Sequence, residues 1–161
     1  MVRRVVSLGG GALAVLGVLL LSPAASLAPA VSEKGELPAK CSLAGSWVNE
    51  LGSRMVISPA NEAGLFSGSY LTAVSASANA IRGSPLQGGQ HLASDGAQPT
   101  FGFTVHWTFS DSTTAFVGQC FLDEKGAETL ETMWLLREQV ATQAQGWKAT
   151  RVGSNVFIRV K

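Results

Sequence analysis

From Cys41 onward the apolar and polar positions of the chain alternate. Phe101, Phe103, Val105, Trp107 and Phe109 fall on one face, and Gly102, Thr104, His106 and Thr108 fall on the other. A period of two predicts a strand with one buried side. The polar run Ser110–Thr113 turns the chain into a second strand, Thr113–Phe121, on which Thr114, Phe116 and Gly118 share a face. Around this hairpin the same pattern predicts further strands over Gly45–Glu50, Arg54–Ser58, Leu65–Thr72, Ile81–Gln90, Glu128–Leu136 and Trp147–Val160. The strand over Ile81–Gln90 carries Pro85 and several glycines, which predicts irregular, weak pairing. The stretch from Glu138 to Gly146 reads as a surface loop with room for one helical turn near 141–145.

Short strands at even spacing with short connections predict an all-β fold of sequential antiparallel neighbours. Eight of them can close into an up-and-down β-barrel, which removes exposed sheet edges. Within that barrel the inward pairs are Trp47 with Asn49, Tyr70 with Thr72, Trp107 with Phe109, Thr114 with Phe116, Trp134 with Leu136, and Gly153 with Asn155. Each pair lies toward one end of its strand, so antiparallel order gathers several at one mouth. Indoles and phenyls interleaved with amides and hydroxyls describe a lined pocket, because small-ligand sites combine apolar shape with a few placed polar groups. Met133, Leu135 and Val152 point the other way, and outward apolar residues in one place predict a subunit interface.

The N-terminus changes the domain boundaries. Arg3 and Arg4 precede an apolar run from Val5 to Leu21, followed by the small residues SPAASLAPA. This order predicts a secretory signal peptide over residues 1–30, cut after Ala30. Gly9, Gly10, Gly11, Gly17 and Pro23 make the rival membrane anchor short and weak. Residues 31–40 form a charged, proline-containing lead-in, and the barrel occupies 41–161. Loss of the leader lowers Lys plus Arg from 12 to 10 against 11 acidic residues, a net charge of −1. No basic stripe remains to favour nucleic acid or an anionic membrane. In a secreted chain the only two cysteines, Cys41 and Cys120, most simply form one disulfide. They are too few for a zinc site, and His91 and His106 offer little to a metal. No Asn-x-Ser/Thr acceptor occurs.

The runs GSWVNELGS, GSYLTAV, SPLQG, QPTFGFTVHWTFS, STTAFVGQCF, ETMWLLR and GWKATRVGSNVF, in order and over nearly all of the mature chain, resemble the avidin family, including the avidin-related biotin-binding proteins of egg yolk. The resemblance implies a homotetramer of barrels with one biotin per subunit, bound as a ligand, with no cofactor and no metal. It gives Asn49, Ser53 and Tyr70 to the ureido oxygen, and Thr72 and Asn155 to the two ureido N–H groups. Thr114 would face the ring sulfur. Trp107, Phe109, Phe116 and Trp134 would wall the bicyclic ring, with Leu51, Val74 and Leu136 completing the lining. Ser75, Ala76, Ser77, Ser110 and Ser112 would meet the valerate carboxylate, and Trp147 would reach over from a neighbouring subunit. Ser75 and Ser77 replace threonines of the avidin pattern, which predicts a looser carboxylate end because Ser restricts χ1 less than Thr. Ser154 stands where that pattern has an isoleucine at a subunit contact, which predicts a weaker assembly.

Two other classes compete. A lipocalin-like carrier of another apolar ligand would show a cavity without clustered ureido partners and would need no Trp147 from a neighbour. An enzyme finds little support. No paired carboxylates fall on inward faces, and neither histidine stands in a recognisable arrangement with a serine.

Overall fold

The computed structural model describes residues 40–92 and 98–160. The expected signal peptide, most of the lead-in and part of the connector before the central hairpin lie outside the described residues.

The strands are β1 (Gly45–Asn49), β2 (Arg54–Ile57), β3 (Leu65–Leu71), β4 (Ser84–Gln90), β5 (Thr100–His106), β6 (Ser112–Leu122), β7 (Glu128–Glu138) and β8 (Thr150–Arg159). Each pairs antiparallel with the next, and β8 pairs with β1 to close the barrel. The alternation read from the sequence sets the register. Phe103 faces Phe116 across β5 and β6, Phe116 faces Trp134 across β6 and β7, and Thr132 faces Asn155 across β7 and β8.

Most strand ends shift by one or two residues, with β7 running on to Glu138 into the expected surface loop, and the larger differences have local reasons. β4 starts at Ser84 rather than Ile81, and it is regularly paired on both sides rather than weakly. Its ladder to β5 begins only at Leu86, after Pro85, which has no N–H to lend. Gly88 does not loosen this strand. A Cβ there would overlap the Gly102 carbonyl and Phe103, so the glycine admits the neighbouring backbone. β5 ends at His106, and Trp107 to Asp111 make the turn, closed by a bond from the Trp107 N–H to the Ser112 carbonyl at 3.2 Å. β6 accordingly starts at Ser112. Finally, Trp147 is not in the last strand. It lies in a 3-10 turn, Gln143–Lys148, held from outside by Arg137, whose Nη1 donates to the Gly146 carbonyl at 2.9 Å.

One end of the barrel is shut. Trp47, Met55, Ile57, Leu86, Leu130 and Phe157 fill it, all essentially buried. The Trp47 indole N–H donates to the Leu43 carbonyl at 2.8 Å. The Arg159 guanidinium lies 4.3 Å above the Trp47 ring, pairs with Glu128, and donates to the carbonyls of Ala44 and Ser42 at 2.8 and 2.6 Å. The Cys41–Cys120 disulfide links the segment entering β1 to β6 across 79 residues of sequence.

Candidate ligand-binding site

At the other end the barrel opens into a cavity of about 640 Å³. Every residue of the sequence-derived set except Trp147 lines it: Asn49, Leu51, Ser53, Tyr70, Thr72, Val74, Ser75, Ala76, Ser77, Trp107, Phe109, Ser110, Ser112, Thr114, Phe116, Trp134, Leu136 and Asn155. Trp47 is inward too, but it belongs to the closed end. Trp147 is 84% exposed and lies outside this chain's own cavity.

The aromatic wall is built around Tyr70. Its ring stacks on Phe116 at 5.6 Å and meets Trp107 edge-on at 5.5 Å, and Phe116 in turn stacks on Phe103 at 4.6 Å. These separations are the favoured ones for aromatic pairs. Trp134 lies flat over β8 because residue 153 is glycine, where any Cβ would overlap the indole. Its indole N–H is the one buried side-chain polar atom without a partner among the described residues.

The polar lining is held with particular valences open. Asn49 Oδ1 accepts from the backbone N–H groups of Leu51 and Ser53 at 3.1 and 2.9 Å, as the short β1–β2 turn requires. Its Nδ2 is therefore the free end, a donor. Asn155 is the reverse: its Nδ2 donates to Glu50 Oε1 at 2.6 Å, which leaves Oδ1 as the free end, an acceptor. Ser53 Oγ accepts from the Ala73 N–H at 3.0 Å and shares a hydrogen bond with the Tyr70 phenol, which leaves one proton between the two hydroxyls to give. Thr72 Oγ1 donates to the Val74 carbonyl at 2.8 Å, so toward the cavity it can only accept. Thr114 Oγ1 accepts from the Trp107 indole at 2.8 Å and keeps a proton to give. At the rim the Ser110 and Ser112 hydroxyls bond each other at 2.6 Å, and Ser77 Oγ donates to the Phe109 carbonyl at 3.3 Å.

Burial pushes the Tyr70 phenol up to about 12; a hydrogen bond with Ser53 opposes this, and the negative Glu50 adds to it. Tyr70 thus stays a neutral O–H donor across the physiological range. The Glu50 carboxyl is partly desolvated, which works upward. Hydrogen bonds from the Asn155 amide and from the backbone N–H groups of Glu50 and Val156 outweigh this and hold it below its ordinary value.

Sequence reasoning missed Asn79, Asp111, Glu138, Gln139 and Arg151, which also line the cavity. Two carried a signal: Glu138 continues the inward alternation of Trp134 and Leu136, and Arg151 that of Gly153 and Asn155. The two side chains pair with each other at the rim. Glu50 was missed for a different reason, since its partner is 105 residues away in sequence.

The Avidin family model matches residues 37–160. The chain belongs to the avidin family. It is 52% identical to "Avidin" of Gallus gallus over 144 residues, covering 89% of this chain and 91% of that one. It is 53% identical to "Avidin-related protein 4/5" of the same organism over 143 residues, covering 89% and 91%. Among solved structures, the biotin binding protein from chicken superposes with a TM-score of 0.73 at 61% identity, over 76% of this chain and 98% of that one. Xenavidin gives 0.71 at 52% identity, over 75% and 99%. The avidin-family fold and the closed barrel thus agree with the architecture read from the sequence.

Proposed function

We propose that this is a secreted, non-catalytic protein that binds biotin in the mouth of the barrel, and that its mature form begins after residue 30. The observation that carries the reading is the opposed setting of the two asparagines. A ureido ring presents one carbonyl oxygen flanked by two N–H groups. The free amide donor of Asn49 and the one proton left between the mutually bonded hydroxyls of Ser53 and Tyr70 suit that oxygen, and the free acceptors of Thr72 and Asn155 suit the N–H groups. Donors converging on one carbonyl polarise it toward an oxyanion, and charge-assisted bonds are the stronger kind. The free O–H of Thr114 suits a thioether sulfur, a weak acceptor.

Trp107, Phe109, Phe116 and Trp134 supply flat apolar walls of the right kind for a fused bicycle, with Leu51, Val74 and Leu136 at the edges. Ser75, Ala76, Ser77, Ser110 and Ser112 face the valerate carboxylate. On the outer wall Met133 and Val152 are 67% and 72% exposed, and Leu135 is paired across from Val152. This patch and the exposed Trp147 favour a homotetramer in which Trp147 covers a neighbour's cavity. The likeness to the biotin binding protein from chicken, at 61% identity, supports the same ligand.

Titration with biotin on a sizing column tests the reading. The expected result is binding in the picomolar class, roughly −16 kcal/mol, by a species four chains in size. Micromolar binding counts against the site as drawn, and tight binding by a monomer counts against the shared Trp147.

A further inference from the structure

The two pocket asparagines are held in opposite senses by different means. Asn49 is fixed by the backbone of its own turn, as any short turn could fix it. Asn155 is fixed by a charge delivered from the far end of the sequence. Glu50 Oε1 takes the Asn155 Nδ2 at 2.6 Å, and Oε2 takes the Val156 backbone N–H at 3.1 Å. An ionised carboxylate has acceptor sites only, so the carboxamide must turn its nitrogen toward it. Asn155 is 7% exposed and lines the cavity, and its Oδ1 has no partner among the described residues. The oxygen is the end left for a ligand. A donated proton at Nδ2 also polarises the amide and makes that oxygen the better acceptor.

We propose that Glu50 determines ligand specificity at this subsite. Its carboxylate locks the Asn155 carboxamide so that the cavity accepts a ring N–H there and rejects a ring oxygen. A ring oxygen facing Oδ1 would set two acceptors against each other, and sites built to accept a particular proton reject the analogue lacking it. Glu50 is a positioning residue, since it acts through Asn155. The proposal rests on the biotin reading above and adds to it the group that decides which way round the amide stands.

The test compares biotin with the cyclic carbamate in which ring oxygen replaces the ureido N–H facing Asn155. It uses wild-type protein, Glu50→Gln and Glu50→Asp. A glutamine can offer Asn155 either a donor or an acceptor, so the carboxamide is free to turn. The preference for biotin over the carbamate should narrow on the order of tenfold in Glu50→Gln, the scale of one hydrogen bond to a charged group. Glu50→Asp keeps the charge and should keep the wild-type preference. The ratio is the informative readout, because a general loss of packing weakens both ligands alike. An unchanged ratio in Glu50→Gln, or an equal narrowing in Glu50→Asp, overturns the proposal.

A second readout needs no ligand. In nitrogen-15 spectra of the ligand-free protein, the Asn155 carboxamide protons should exchange slowly in wild type and Glu50→Asp and quickly in Glu50→Gln. Equal exchange in all three overturns the lock. Slow exchange in a wild-type protein that does not retain biotin supports the lock while overturning the reading of the cavity, so the two failures are told apart.

Discussion

The two ends of this barrel are built on opposite rules. At the closed end the polar groups around Arg159 are paired within the chain. The guanidinium pairs with Glu128, covers Trp47 and takes two carbonyls, and a disulfide crosses nearby. At the mouth Asn49, Asn155, Thr72 and Thr114 spend part of their hydrogen-bonding capacity on the chain and leave another part open. An open valence in a folded protein forgoes part of a hydrogen bond's net contribution, about 1 kcal/mol each. The lesson is a division of labour. Stability held at one end lets the other end stay poised for an occupant.

Removing the disulfide breaks this comparison most sharply. Cys41→Ser with Cys120→Ser releases a loop of 79 residues, worth about 4 kcal/mol by chain entropy. Denaturant unfolding should show that loss, while biotin affinity at room temperature should change little, because neither cysteine lines the cavity. A parallel collapse of affinity in still-folded protein would mean that the ends are not independent.

Tyr70 stands at the boundary between the two ends, and pH probes it. Its phenol is raised from 10 to about 12, so the stability it contributes is complete below pH 10 and is lost as pH rises toward 12. The loss should reach about 2 kcal/mol and be absent in Tyr70→Phe. Tyr70 is the only tyrosine of the chain, so its near-ultraviolet phenolate absorbance reports this one group. A midpoint near 10 would mean that the mouth is wetter than its packing implies. A ligand bonded to the neutral phenol should move the midpoint higher still.

How far each end could be read from the sequence follows the same division. The barrel and most of the cavity wall were legible, because a period of two carries inwardness along each strand, as in Tyr70 with Thr72 and Thr114 with Phe116. What was not legible is whatever depends on contact through space. Phe109 keeps its inward sense but lies in a turn, since the Trp107 N–H closes that turn three residues earlier than the polar run implied. Trp147 reads as a strand residue by type, and the Arg137 bond to Gly146 holds it in a helical turn instead. The direction of each asparagine came only from the resemblance, since nothing in the alternation carries it. Asn155 depends on Glu50 across the whole length of the domain.

Gly153 tests whether the wall is as rigid as the closed end. A methyl group at 153 would overlap the Trp134 indole, so the ring must tilt into the cavity. Overpacking of this kind costs about 1–3 kcal/mol. In Gly153→Ala it should appear chiefly as a faster biotin off-rate, on the order of tenfold. Fluorescence of Trp134 should shift even without ligand. Stability lost in full with the off-rate unchanged would place the indole in the core rather than the wall.

The smallest effect is expected at the rim. The resemblance gives Ser77 to the carboxylate, yet its hydroxyl proton is already directed to the Phe109 carbonyl at 3.3 Å, a long and weak bond. The Asn79 amide donates to the same carbonyl at 2.9 Å and would keep the loop docked without Ser77. In Ser77→Ala, stability should therefore change by less than about 0.5 kcal/mol, and biotin affinity by no more than about threefold. Biotin methyl ester, which lacks the carboxylate charge, supplies the control. If Ser77→Ala weakens the free acid strongly and the ester not at all, the hydroxyl leaves Phe109 for the ligand. The mouth would then be poised at its rim as well as at its floor.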